Sequence, residues 1–225
     1  MSRTPNRQIK DAIYGQLASL TKALASPKRL EIIDLLCQGE KTVEAIADGA
    51  HLGIKNASAQ LKELRSARLV EARRQGKNVF YRIADPSIAH FWTRFRTFGH
   101  EQLHEIQEIA RDAFESPEAL EKMNRKSLLA RAKRGDVVLL DVRPSDEFDS
   151  GHLPYAISVP MSELPKHLKS LPKKNDIVAY CRGPYCFFAK EAVEALRKHG
   201  FKAYNLKDSV VDWAEHGMPV VRAVR

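Results

Sequence analysis

The chain has 225 residues, of which 44% are hydrophobic and 29% charged. This is a soluble globular balance with room for two ordinary domains. Eleven Gly and eleven Pro exclude a collagen-like or low-complexity chain, and no apolar run approaches the roughly 20 residues of a membrane span. The formal charge of +9 is uneven: residues 1–100 hold 17 Lys and Arg against 9 Asp and Glu, and residues 101–225 hold 20 against 19. A cationic front part beside a near-neutral remainder points to a nucleic-acid module joined to something else. The stretch MSRTPNRQIKD lacks the apolar core of a signal peptide, so a cytoplasmic location without a membrane partner is expected. Cys37, Cys181 and Cys186 form no disulfide framework. In a reducing compartment the last two, five positions apart, are expected to be reactive or ligating.

Residues 8–25 place Ile9, Ile13, Leu17, Leu20 and Leu24 at helical steps of three and four, one apolar stripe. Ser26 and Pro27 open a second helix that stops near Gly39. Thr42 can cap a short third helix. In a fourth, Ile54, Ala57, Leu61 and Leu64 share the face expected to be buried. Leu69–Arg73 and Asn78–Ile83 alternate as strands around Gln75-Gly76-Lys77, a hairpin. Asp85-Pro86 starts a long helix to about residue 114, and Ser116-Pro117-Glu118 interrupts the pattern. Beyond a helix at about 119–133, apolar runs at 137–141, 156–160, 176–180 and 202–206 alternate with helical patterns at about 162–169, 186–199 and 209–216. This is the signature of an α/β unit with a parallel sheet. The expected domains are 1–115 and 122–225, with residues 116–121 as linker.

The solvent face of the fourth helix carries Lys55, Asn56, Ser58, Gln60 and Lys62. Amide side chains can pair with adenine edges, serine with several bases, and lysine with phosphate or guanine. A helix built for the major groove needs that mixture. Arg73, Arg74, Lys77 and Asn78 cap the hairpin, where cations suit a minor groove or the flanking phosphates. The stretch from Lys22 through Asp85, KALASPKRLEIIDLLCQGEKTVEAIADGAHLGIKNASAQLKELRSARLVEARRQGKNVFYRIAD, resembles the ArsR family of winged-helix regulators over about residues 15–95. The resemblance implies a mainly-α winged helix-turn-helix, a homodimer joined through its first and last helices, and an imperfectly palindromic double-stranded DNA operator. Tyr14, Leu17, Leu20, Phe91, Trp92, Phe95 and Phe98 would then be dimer or core residues. Where metal-sensing members carry cysteines, this chain has Thr42 and Glu44. His100 and His104, one turn apart on the expected long helix, are the remaining zinc-type pair; no metal and no cofactor are expected. Cys37, in an apolar helix, reads as a small buried hydrophobe.

The stretch AYCRGPYCFFAKEAVEAL reads as a strand, a six-residue turn and a helix. Cys181 stands at the strand's carboxyl end, the ligand crevice of an open α/β sheet. A tight turn entering a helix favours thiolate over thiol, and Arg182 adds a cation. Gly183 allows the bend. The chemistry that fits is a nucleophilic sulfur carrying an anionic sulfur. The wider stretch resembles the rhodanese family over about residues 122–221. LLDVRPSDEFDSGHLPYAISVP matches its first signature through Asp141, Arg143, Glu147, Gly151 and His152. CRGPYC matches the persulfide loop of Cys181, Arg182, Gly183, Pro184, Tyr185 and Cys186. The resemblance implies that Cys181 carries a sulfane sulfur taken from a small donor such as thiosulfate, a persulfide or a polysulfide. Cys186 could resolve it into a bridge. Two functions follow. One is a DNA-binding regulator, expected to repress, that senses or processes reactive sulfur. The alternative is a sulfurtransferase whose winged helix serves dimerisation or localisation.

Overall fold

The computed structural model describes residues 5–114 and 124–222; the expected linker, 116–121, lies outside the described residues. The chain divides into two compact units, residues 1–89 and 90–225. None of the described helices is long and apolar enough to cross a membrane.

The first unit opens with α1 (Pro5–Leu24) and α2 (Pro27–Cys37), then β1 (Lys41–Thr42), α3 (Val43–Gly49), α4 (Ile54–Ser66), β2 (Val70–Gln75) and β3 (Asn78–Ile83). Thr42 caps α3, its hydroxyl accepting from Ala45 N at 3.3 Å. Ser26 precedes α2 with extended backbone but makes no side-chain cap bond; Pro27 starts that helix by its fixed φ. Strands β2 and β3 form the hairpin, with Gln75 opposite Asn78. Gly76 takes a φ of +60°, a conformation that costs glycine nothing at a two-residue turn. β1 adds antiparallel to the outer side of β3, giving the order β1-β3-β2. The core is Ile32, Leu36, Ile46, Ala57, Leu61 and Leu64, each essentially without solvent access. Ile54 differs from expectation. It is 53% exposed, because it is the first residue of α4 and projects beyond the packed turns.

A helix α5 (Pro86–Gln102) begins in the first unit and continues into the second; α6 (His104–Phe114) follows. The single long helix expected here is broken at Leu103. The Gln107 amide donates to the carbonyls of His100 at 2.9 Å and Glu101 at 3.2 Å. In an unbroken helix those carbonyls would accept from backbone N–H groups four residues on. The break places His100 and His104 on different helices, so the expectation that they lie one turn apart on a single helix does not hold. Among the described residues no group of three or more His, Cys, Asp or Glu side chains could hold a metal ion.

The second unit continues with α7 (Arg125–Arg134), β4 (Val137–Asp141), α8 (Ser145–Ser150), β5 (Ala156–Ser158) and α9 (Leu164–His167). It ends with β6 (Asp176–Tyr180), α10 (Phe187–Lys198), β7 (Ala203–Leu206) and α11 (Val210–Glu215). Four parallel strands lie in the order β5-β4-β6-β7. Alternation sorts the side chains of β6. Ile177 and Ala179 join one core with Ala189, Ala192, Val193 and Leu196 of α10. Val178 and Tyr180 join the other with Leu128 of α7 and Trp213 of α11. The chain runs from β4 to β5 on one side and then to β6 on the other. The carboxyl ends of β4 and β6 therefore flank a topological switch point, where open α/β sheets hold their ligands.

Candidate functional site

Two groups of residues carry chemistry, one in each unit. In the first, Lys55, Asn56, Ser58 and Lys62 of α4 are exposed and Gln60 is half-buried. The Gln60 amide donates to Asn56 Oδ1 at 3.0 Å and accepts from Arg29 Nη1 at 3.2 Å. Arg29, missed by sequence reasoning, also donates to the carbonyls of Lys22 and Ala23 at the end of α1. It thus caps one helix while orienting an amide on another. Arg73, Arg74, Lys77 and Asn78 are exposed around the hairpin tip. Arg73 is also tied inward: its guanidinium pairs with Glu40, donates to Gln75 Oε1 at 2.8 Å and lies over the Phe80 ring. Lys77 and Asn78 sit at the turn itself, beyond this anchor.

In the second unit the Cys181–Cys186 loop leaves β6 and enters α10. Cys181 continues the buried Ile177–Ala179 face and is 1% exposed. Its chain neighbours are both anchored. Tyr180 is buried, and its hydroxyl accepts from Leu153 N at 3.1 Å. Burial, reinforced by Asp141, pushes its phenol well above the ordinary range. Arg182 forks onto the fully buried Glu147, with Nε 3.1 Å from both carboxylate oxygens and Nη2 2.7 Å from Oε1. Its charge, expected to favour a thiolate, is therefore shared with a carboxylate. A second buried fork joins Arg143 to Asp141 at 2.6 and 2.9 Å, and Arg143 Nη2 also donates to Gly151 O at 2.8 Å. Asp141, Arg143 and Glu147, the residues that match the first rhodanese signature, thus brace the loop and the strand ends rather than face a ligand.

The loop itself is closed. Cys181 and Cys186 are joined by a disulfide with their Cα atoms 6.4 Å apart, within the usual span of such bridges. Cys186 N donates to Gly183 O at 3.2 Å, and Cys186 is the half-buried N-cap of α10. Sequence reasoning offered an open thiolate at Cys181; the structure shows its sulfur bonded and covered. Cys37, outside the bridge, is half-buried in α2.

What sequence reasoning missed is how α5 and α6 meet this loop. Gly183 has a φ of +126°, and a Cβ there would lie 3.1 Å from Arg96 Nη1 and 3.4 Å from Asp212 Oδ2. Arg96, on α5, donates to Asp212 at 2.5 Å, and both side chains are nearly buried. Asp212 belongs to the capping box of α11, accepting from Ser209 N at 2.8 Å and Ser209 Oγ at 2.6 Å. His100 lies 3.2 Å from the Tyr185 hydroxyl. The Phe114 ring packs on those of Tyr185 and Phe187. A cavity of about 300 Å³ opens among Arg96, His100, Phe114, Arg125, Tyr185 and Asp212. Burial raises the Tyr185 phenol, with Arg96 opposing it. Earlier on α5, His90 and Arg94 both reach Glu215, holding its carboxyl below the usual range.

A winged helix-turn-helix followed by a rhodanese-like sheet defines a DNA-binding regulator with an added α/β domain. The corresponding family models match: "Bacterial regulatory protein, arsR family" over residues 26–72 and "Rhodanese-like domain" over residues 124–216. The HTH-type transcriptional regulator Rv0324 of Mycobacterium tuberculosis is 43% identical over 211 residues, covering 94% of this chain and 92% of that protein. The chain belongs to the ArsR family of transcriptional regulators and carries a C-terminal rhodanese domain. A sulfurtransferase of Allochromatium vinosum is 34% identical over 87 residues, 38% of this chain and 79% of its own length. Among solved structures, the homodimeric winged helix-turn-helix domain of Mb0332 from Mycobacterium bovis is 42% identical. It covers 47% of this chain and 95% of its own, with a TM-score of 0.42.

Proposed function

We propose that this regulator binds its operator as a homodimer and that sulfur chemistry at Cys181 weakens the binding. The observation that carries the reading is the Arg96–Asp212–Gly183 contact. A helix that starts in the DNA-binding unit ends against the loop that holds the reactive cysteine. Small sulfur donors (thiosulfate, persulfides or polysulfides) would load Cys181, and the loop's changed shape would displace α5. A hundredfold loss of operator affinity needs about 2.7 kcal/mol of difference between states. Rearrangement of a buried ion pair and a close backbone contact is of that order. The full-length relative is a transcriptional regulator, which sets regulation ahead of a sulfurtransferase with a passive winged helix.

For the dimer, the support is the uncovered apolar surface. Ile9, Ile13, Tyr14 and Leu17 of α1, and Phe91, Phe95 and Phe98 of α5, are exposed in the single chain. Aromatic and aliphatic side chains in that number call for a partner surface, here a second copy. Tyr14, Leu17 and Leu20 accordingly lie outside the core of their own unit.

The test is an operator titration with reduced protein, a duplex selected from a random library, and an organic persulfide as donor. Wild type is expected to lose affinity on treatment and Cys181→Ser to keep it. Unchanged binding by wild type whose Cys181 has been shown to be modified would sink the switch. For the DNA contacts, Lys55, Asn56, Ser58, Gln60 and Lys62 are proposed to enter the major groove, and Arg73, Arg74, Lys77 and Asn78 to form the wing contacts. Gln60→Ala is then expected to relax preference at a base position by about 1–3 kcal/mol. Lys77→Ala is expected to weaken all duplexes alike and lower the log–log salt slope by about one. Binding measured over a salt series on matched and scrambled duplexes checks both, and identical behaviour of the two variants contradicts the assignment.

A further inference from the structure

We infer that the cysteine pair has an activity of its own: it converts a bound sulfane sulfur to hydrosulfide in a single, self-limiting event per chain. The inference rests on the proposed loading of Cys181 and adds what happens next. Two sulfurs held within bonding distance across one turn, with the Cα atoms 6.4 Å apart, are the attacking and attacked partners of a thiol–disulfide exchange. The anchors at Tyr180 and Arg182 fix Cys181 from both sides. Cys186, at the mouth of α10, remains partly accessible.

An organic persulfide R–S–SH gives its terminal sulfur to the Cys181 thiolate: a new S–S bond forms on Cys181, the donor's S–S bond breaks, and R–S⁻ leaves. The Cys186 thiolate then attacks Sγ of Cys181. The Cys181–Cys186 bond forms, the bond to the terminal sulfur breaks, and hydrosulfide leaves with the electron pair. Both cysteines have been oxidised and the sulfane sulfur reduced, so no other oxidant is needed. The end state is the bridge seen here, with Cys181 buried. In that state no thiolate remains to take up sulfur, and the event cannot repeat until a thiol reductant opens the bridge.

Reduced full-length protein in a Cys37→Ser background, treated without oxygen with glutathione persulfide and quenched with iodoacetamide, supplies the test. This donor leaves as a thiol, so sulfide is not a product of the loading step. Intact mass and sulfide are measured on the same sample. The expected result is one sulfide per chain, a mass lower by two hydrogens, and no alkylation of the pair. Cys186→Ser is expected to stop after loading, with one added sulfur on Cys181 trapped by the alkylator and no burst of sulfide. Cys181→Ser is expected to do neither. A stable persulfide on Cys181 of the protein with both cysteines overturns this inference and leaves sulfur sensing standing. Failure to load Cys181 in the Cys186→Ser protein overturns the sensing reading as well.

Discussion

Replacing Arg143 by alanine is expected to destabilise the second unit by about 3–5 kcal/mol, the range for stripping a buried charge of its partner. Asp141 is fully buried, and the Arg143 side chain hydrogen-bonds its carboxylate at 2.6, 2.9 and 3.2 Å. Arg143 also holds the carbonyl of Gly151, which would lose that donor too. The change is read in urea from the fluorescence of Trp213, a fully buried residue of the same unit, with Trp92 replaced by phenylalanine. Asp141→Asn combined with Arg143→Met is expected to cost markedly less than Arg143→Ala alone, because no uncompensated charge remains. Equal losses in the two proteins would show that packing, not charge pairing, sets the cost.

Arg96→Ala is expected to separate DNA binding from its control. Losing Arg96 leaves the nearly buried Asp212 without its ion-pair partner and costs stability, but the carboxylate keeps the Ser209 N–H and hydroxyl of its capping box, so the unit is expected to stay folded, which urea unfolding of the variant checks. The substitution removes the guanidinium through which α5 touches the turn at Gly183. Reduced Arg96→Ala protein is expected to bind operator within about threefold of wild type, a difference of roughly 0.65 kcal/mol. Persulfide treatment is then expected to shift its affinity by less than about threefold, where wild type shifts about a hundredfold. Mass spectrometry on the same samples shows whether Cys181 reacts equally in both. A full response from Arg96→Ala would take this side chain out of the proposed route.

The fold was legible wherever local pattern and burial agree. The run VVLL that leads to Asp141 is apolar because β4 is covered on both faces, and the period-two pattern around Gly76 is that of a hairpin. The two strand residues Lys41 and Thr42 left no pattern because a two-residue strand has no period. The break at Leu103 was hidden because Leu103, Ile106 and Ala110 follow at steps of three and four, as in a continuous helix. What ends α5 is a side-chain amide, Gln107, whose role depends on reach rather than periodicity. At the candidate sites, residue type identified the recognition helix, the wing and the sulfur loop. It did not reveal that Arg182 shares its charge with Glu147, 35 positions earlier, nor that Arg96 meets Asp212 across 116. Ion pairs so distant in sequence leave no trace in composition or spacing.

The covering of Cys181 within its bridge bears on timing. A sulfur with almost no solvent contact is a poor target for a passing thiol, and exchange then proceeds through the partly accessible Cys186 side or after the turn opens. The proposed device would therefore have memory. It would close on a brief pulse of donor and stay closed after the pulse has gone, recording that exposure occurred until reducing power returns.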